Sequence, residues 1–435
     1  MSRANRYSKR GSAINIIIVL FSLQLLPSNI LADGYWLSQN LDSVYVSYSG
    51  VVADKKNGEK LPFAHISILS SGISTVTNSR GEFLLKIPVS MKEQSIEITL
   101  IGYQTLRIPI GELDEKKNKI YLTQTGITLP EVSVILSGNA LETVKKMLNK
   151  RDENYDQTDR LMTAFYREII KKRNTPVSIS ESVVEIYKES YSSYRQDGVS
   201  LVKSRKSTDY EKLDTLVFKL MGGPYNTLFI DVMKYPEYFM GNDNLTDYEF
   251  KYAGYDKIDE LPILIIEFKQ NRNIKEPLFY GKLYIDIQNF GLARAEFDVD
   301  LGSPQKAAML FIRKKPFNAK VSATKAHYII DYHFAYGKWR FAYSRIDLGL
   351  KLDWNKKFFN TYYNTSVEMA ATNWNMHPDK KIFKEKNAIY PSIVLQDAVL
   401  GFEDSNFWGE NNIIEPEKPI ENAIKKIEKQ LIKEK

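Results

Sequence analysis

From Tyr48 onward, apolar and polar residues alternate in short runs divided by Gly, Pro, Asn and Ser. The runs Tyr48–Ala53, Ala64–Leu69, Gly72–Thr77, Gly81–Ile87, Ile96–Leu100, Gln104–Ile108 and Lys119–Leu122 recur at the close spacing that predicts a small all-β sandwich. Phe83, Leu85 and Ile87 alternate with Leu84 and Lys86, so the strand offers one side to a facing sheet. At Asn139 the period changes. Leu141, Val144 and Leu148 fall at i, i+3 and i+7 behind an Asn cap, with Lys145, Lys146 and Lys150 on the other side, and predict a helix over 139–150.

Strand patterns resume at Thr163–Lys171, Val177–Tyr187 and Val199–Ser204. Helical stretches follow at Asp214–Met221, stopped by Gly222-Gly223-Pro224, and at Thr227–Lys234. A longer antiparallel series then runs through Pro262–Lys269, Gly281–Ile287, Leu292–Val299, Ala326–Tyr336, Trp339–Leu352 and Phe358–Ala370. Its strands have one apolar and one polar side, which predicts an open sheet with a covered inside and a solvated outside. The two helical regions are the available cover. In 326–336, Tyr328, Ile330, Tyr332, Phe334 and Tyr336 share one face, and His327, Ile329, Asp331 and His333 the other.

Four separated blocks carry a family resemblance: Gly50-Val51-Val52; Leu61-Pro62-Phe63-Ala64-His65-Ile66-Ser67-Ile68; Thr75-Val76-Thr77-Asn78-Ser79-Arg80-Gly81-Glu82-Phe83; and Ile101-Gly102-Tyr103-Gln104. In this order they resemble the carboxypeptidase-regulatory-like domain over residues 48–124. The resemblance implies a transthyretin-like sandwich of the immunoglobulin type, without peptidase activity. It also implies a place in a Gram-negative envelope, where this module often precedes outer-membrane proteins. The hairpin Gly281–Asp286 and Gly291–Phe297 has a looser resemblance to LolA-like lipoprotein carriers, and implies a half-barrel wrapped around helices. The expected fold is therefore mainly β, a small sandwich followed by a helix-covered antiparallel half-barrel. The expected divisions are 1–32 signal peptide, 33–47 linker, 48–124 sandwich, 125–160 junction and helix, 161–378 half-barrel, and 379–435 tail. In that tail Phe407, Trp408, Ile413 and Ile414 are expected to lie back on the sheet, and Ile420, Ile424, Ile427 and Leu431 to line a helix.

Charge bears on compartment. Residues 1–32 hold Arg3, Arg6, Lys9 and Arg10, an apolar run from Ala13 to Leu26, and a small residue at Ala32, the layout of a secretory signal peptide. Their removal takes four bases and no acids from the total, leaving 56 bases against 53 acids. A chain so near neutrality has no global field for polyanions, so nucleic acid is not an expected partner. No later run is long enough to span a bilayer as a helix. Export places the protein in the periplasm or at the outer membrane.

Chemistry is sparse. The chain has no Cys, which excludes disulfides, thiol nucleophiles and zinc ribbons. Its four His form no H-E-x-x-H, and His327 and His333 stand about 20 Å apart along a strand at ~3.3 Å per residue, too far to share an ion. No G-x-S-x-G elbow and no phosphate-binding glycine loop occurs. No cofactor, metal or catalytic residue is expected. The aromatic set Tyr328, Tyr332, Phe334, Tyr336, Trp339, Phe341 and Tyr343 supplies the candidate site. These side chains either pack fully against the helices or wall an apolar cleft for an acyl chain or an apolar segment. The expected function is a non-catalytic envelope binding or scaffold protein, with a lipid or an envelope protein as partner. The alternative is an envelope glycan hydrolase with paired carboxylates.

Overall fold

The computed structural model describes residues 45–126, 139–208, 219–220, 222–240, 242–258, 260–271, 278–314, 319–355, 359–375, 387–395, 407–422 and 424–425. The signal peptide, Ile427 and Leu431 lie outside them. Seven strands begin the chain: β1 (Tyr45–Asp54), β2 (His65–Ile68), β3 (Ser74–Val76), β4 (Glu82–Pro88), β5 (Ser95–Thr99), β6 (Leu106–Pro109) and β7 (Asn118–Leu122). They form two sheets, ordered β4-β1-β7 and β3-β2-β5-β6, closed over Val52, Ile66, Phe83, Leu85, Ile96 and Ile98. Gly81 (φ +70°) turns the hairpin into β4, and a Cβ there would stand 2.6 Å from the Val52 carbonyl oxygen. Asn78 Oδ1 accepts from the Arg80 and Glu82 amides in the same turn.

Helices α1 (Ala140–Asn149) and α2 (Arg151–Asn154) precede β8 (Arg160–Lys172), β9 (Thr175–Lys188), β10 (Gly198–Thr208) and the short β11 (Lys219–Leu220). Asn139 caps α1 by accepting from the Leu141 amide. Next come α3 (Pro224–Phe229), β12 (Tyr248–Ile258), β13 (Leu261–Gln270), β14 (Phe279–Asp286), β15 (Leu292–Val299) and α4 (Pro304–Phe311). The series ends with β16 (Ile312–Lys314), β17 (Ala319–Ala335), β18 (Lys338–Trp354), β19 (Thr361–Asn375) and β20 (Ala388–Ile389). Eleven of these strands make one open antiparallel sheet, ordered β12-β13-β14-β15-β17-β18-β19-β8-β9-β10-β20. Mainly β, with a small sandwich and a wide unclosed sheet, is the architecture that the strand patterns and the resemblances imply.

Two helix expectations need correction. Of Asp214–Met221 only Lys219–Leu220 is described, and it is strand β11, paired with β16. Gly222-Gly223-Pro224 does not stop a helix but starts one. Both glycines have positive φ, and Pro224 takes the first position of α3, where its missing N–H costs nothing.

One face of the wide sheet is covered as expected. Ala140, Val144 and Met147 of α1 and Tyr225 and Leu228 of α3 join Met162, Ala164, Val184, Ile330 and Phe341 in a single apolar core. Farther along the same strands, Ala307 and Ala308 of α4 cover Val321, Ala323, Leu350 and Leu352.

The opposite face departs from the expectation of solvation. Residues from Tyr45 onward form one compact unit, in which the sandwich lies on this outer face. Ser74 Oγ donates to the Ala371 carbonyl at 2.9 Å, and the Trp374 amide to the Gly72 carbonyl at 3.1 Å. Residues 407–415 form a strap between the two. On the sandwich side Asn412 accepts from the Lys86 amide and donates to its carbonyl, while Asn78 donates to the Glu415 carbonyl. On the sheet side Trp408 meets Phe165 edge-on at 5.4 Å, and Ile414 is buried with its carbonyl bonded by Arg167. Ile420 and Ile424 cover Ile169 and Ile179.

A row of side chains crosses this face from edge to edge. Strand register aligns Lys251, Glu267, Lys282, Glu296, Ile329, Arg345, Glu368, Arg167, Glu181 and Arg205 on ten successive strands. The charges alternate in sign, with Ile329 the one break. The half on β12 to β14 is exposed, with Lys251–Glu267 at 3.4 Å and Lys282–Glu267 at 3.8 Å. Arg345 on β18 is half-buried, and the row from β19 to β10 is buried: Arg167 Nε–Glu181 at 2.7 Å, Arg167 Nη1–Glu368 at 3.2 Å and Arg205–Glu181 at 2.7 Å.

The two halves therefore respond differently to truncation. Arg167→Ala leaves Glu181 and Glu368 short of a partner in the dry interior and lowers unfolding free energy by about 3–5 kcal/mol. Lys282→Ala, in water, costs at most about 1 kcal/mol. Urea unfolding of both variants checks the contrast, and equal losses would show that the covers do not desolvate the row.

Candidate functional site

The seven aromatic candidates do not share one surface. Tyr328 is buried and stacks on Phe297 at 5.2 Å. The Tyr332 hydroxyl donates to Asp231 at 2.7 Å and accepts from the Met233 amide. Trp339 and Phe341 are fully buried in the helix-covered core, and Phe334 packs beside Trp339 at 5.2 Å. Tyr343 is on the opposite face. It stacks on Phe63 of the sandwich at 5.1 Å and donates to Glu368 at 3.0 Å. The cause is a bulge: Asp331 pairs with Tyr343 but Tyr332 with Phe341, so Ala342 is the extra residue and alternation breaks there. Tyr336 is 60% exposed in the β17–β18 turn. The set thus divides: Tyr328, Tyr332, Trp339 and Phe341 belong to the helix-covered core with Phe334 packed against it, Tyr343 faces the sandwich, and Tyr336 stands in the turn.

Beneath the helices lies a buried polar cluster that no sequence motif announced. Lys188 Nζ stands 2.7 Å from Asp197 and 2.8 Å from Asp231. Tyr191 also donates to Asp231, at 3.0 Å, and the Tyr235 hydroxyl accepts from the Asp197 amide. Lys234 donates to the carbonyls of Ser190 and Ser193. Burial alone would discharge Lys188, but the two carboxylates hold its pKa above the ordinary lysine value. Burial and the Asp231 charge push the Tyr191 and Tyr332 hydroxyls well upward, so both remain donors. A protonated, doubly paired lysine is neither nucleophile nor base. The cluster fastens 189–197 and 231–235 to the sheet through β9 and β17.

Space opens instead at the seam between the sandwich and the wide sheet. His65 of β2 and His333 of β17 stack there, ring centroids 4.1 Å apart. Beside them lie a crevice of about 50 Å3 reaching Phe63, Asp331 and Arg294, and a cleft of about 200 Å3. The cleft runs between the β2–β3 turn, with Ser70 and Ser71, and the β17–β18 turn, with Tyr336; Trp374, Glu97 and Arg340 also line it. Of the seven aromatic candidates, Phe334, Tyr336 and Phe341 reach this cleft. A third depression, about 390 Å3, lies over β12 to β14 among Glu249, Lys251, Glu267, Lys269 and Lys282.

His327 and His333 stay apart, as their spacing requires. His327 bonds Asp298 at 3.2 Å, and Asp331 pairs with Arg294 at 3.2 Å. Among the described residues no three His, Asp or Glu side chains group as a metal site would need. Burial raises the Asp331 carboxyl to about 6 despite Arg294. The carboxyl borders the 50 Å3 crevice. Among the described residues no helix is long and apolar enough to cross a membrane.

Residues 48–139 match the model of the CarboxypepD_reg-like domain family, extending past the boundary at 124 expected from the sequence. No curated relative matches the chain. Three solved structures are similar at low identity. A LolA superfamily protein from Nitrosomonas europaea is 11% identical, over 57% of this chain and 99% of its own, with a TM-score of 0.21. A DUF1329 family protein from Desulfovibrio piger is 9% identical, over 57% and 98%, with a TM-score of 0.23. A Bacteroides fragilis protein of unknown function, titled as membrane-associated, is 11% identical, over 76% and 98%, with a TM-score of 0.15. Superpositions this poor leave the half-barrel to be judged from the sheet itself.

The stacked imidazoles make a pH prediction. Burial, with Arg340 nearby, lowers the His333 pKa to about 4, and burial beside His333 lowers that of His65. Between the ordinary imidazole value and about pH 4 the unfolded chain binds protons that the folded chain does not, so stability falls as pH falls. Asp331, raised to about 6, acts in the opposite sense over part of that window. The difference between wild type and His333→Phe cancels the Asp331 contribution. Urea midpoints at pH 7 and pH 5 are expected to fall further for wild type than for His333→Phe; equal falls would exclude a titrating pair.

Proposed function

We propose that the protein is a non-catalytic binding or scaffold protein of the cell envelope, exported by residues 1–32. In this reading the sandwich, strap and half-barrel act as one rigid platform, and the binding surface is the seam. The observation that carries it is the contrast between the two sides of the wide sheet. The helix-covered side is filled by Tyr155, Tyr332, Trp339 and Phe341, all at most 4% exposed, where an acyl chain would otherwise lie. The seam side keeps an open cleft with aromatic and hydroxyl-bearing walls. The ionisable groups most strongly desolvated, Lys188 and Arg167 among them, are neutralised by structural partners, which suits adhesion and not turnover. Docking of an outer-membrane partner through the sandwich extends the same reading.

Native mass spectrometry of the protein recovered from the periplasm of its own host tests it. The expected species is a chain beginning at Asp33 with a small molecule or a protein co-isolated. A bare polypeptide that retains Met1, with no companion at any protein concentration, would count decisively against export and binding together.

A further inference from the structure

We propose that the seam cleft is a saccharide site, with Tyr336 as a stacking platform and serine hydroxyls as polar partners. The inference rests on the binding reading above and gives it a ligand class.

The walls state the chemistry. Tyr336 holds φ at +52°, a left-handed conformation that a large aromatic side chain adopts only at a cost. Its ring is 60% exposed, with the Arg340 guanidinium 5.7 Å from the ring centroid. A turn in need of this backbone would be served better by Asn or Gly, so the aromatic ring here is a costly choice that leaves an apolar surface open beside the cleft. Across the cleft Ser70 holds φ at +58° on the β2–β3 turn. Two strained residues that are not glycine thus stand on opposing walls, one from each half of the molecule. Trp374 meets the cleft where its amide bonds the Gly72 carbonyl, while its ring packs against the helix-covered core.

The cleft presents no uncompensated charge. Glu97 is held by Arg107 at 2.7 Å, and Arg340 by Asp156 at 2.8 Å. A phosphate or carboxylate would find no spare cation, and an amine no spare carboxylate. The side chains of Ser67, Ser70 and Tyr336 make no hydrogen bond among the described residues, so their hydroxyls are available to a ligand. His65 and His333 border the cleft, and burial lowers the pKa of both, with His333 adding to the effect at His65 and Arg340 at His333. A neutral ligand with a C–H face for the ring and hydroxyls for the serines is a sugar unit. A volume of about 200 Å3, below the ~300 Å3 floor for drug-sized ligands, fits one ring of a longer chain, and the open mouth lets the rest leave.

Saturation-transfer NMR of the full mature chain with cellotriose, maltotriose, mannotriose and chitotriose, each to 10 mM, tests the assignment. At least one trisaccharide is expected to bind, with Kd raised at least tenfold by Tyr336→Ala. Tyr336→Phe should stay within about threefold, because the ring and not the hydroxyl stacks. Matching urea midpoints for the variants separate lost binding from lost folding. No binding by any of the four, or binding indifferent to Tyr336→Ala, overturns the proposal. A Trp-containing tripeptide that binds in their place also overturns it, yet leaves the broader binding function standing.

Discussion

A charged row made dry is the constraint on which this structure turns. Arg345, Arg167 and Arg205 alternate with Glu368 and Glu181 along the covered half of the outer face, and Asp347, 2.9 Å from Arg345, brings acids and bases to three each. No group in such a row can be left short, since an uncompensated buried charge costs several kcal/mol. The covers complete the set. The Ile414 carbonyl of the strap accepts from Arg167, the Tyr343 hydroxyl donates a hydrogen bond to Glu368, and the Trp408 ring centroid lies 4.8 Å from the Arg205 guanidinium. The sandwich is therefore not an appendage. Lifting it from the sheet would wet a network whose geometry assumes dryness, and it shares the strap with the half-barrel through Asn78, Lys86 and Asn412.

That coupling shows why some of the fold was legible in the sequence and some was not. All seven sandwich strands lie where short alternation places them, because each buries one side in a core made from near neighbours. Leu292–Val299 has the same bounds in sequence pattern and structure, and Phe407 to Ile414 lies on the sheet as its aromatic anchors imply. The outer face misled because alternation reports polarity and not water. Arg167, Glu181 and Glu368 read as solvated residues, and only the register of five strands together with two covers makes them interior. Edge strand β12 escaped notice because Glu249, Lys251 and Asp256 dilute its pattern, and a register shift between Tyr252 and Gly254 breaks its period.

Bulges account for most of what failed at the candidate site. Parity along a strand is a reliable guide only while pairing is one to one. The extra residue Ala342 sends Tyr343 outward to the sandwich while Trp339 and Phe341 stay inward, so seven aromatics that looked like one lining serve two cores and a turn. The Lys188 cluster was invisible for a different reason. Its members come from β9, two loops and β17, at sequence separations that no motif describes, and their meeting depends on the closure of α3 and the following loop over the sheet. Tyr336 alone among the candidates carried a local signal, a bulky aromatic before glycine in a two-residue turn.

The seam cleft follows from the same geometry. The four-stranded layer meets the wide sheet where β3 bonds β19 through Ser74 and the strap through Thr75. Toward the β17–β18 turn the strap is absent from the lining, and the two surfaces diverge around the stacked His65 and His333. What remains is a gap walled by two hairpin turns, each fixed by a strained residue, on a body held rigid by the buried row. Walls fixed in this way reduce the ordering cost that a weak ligand must overcome.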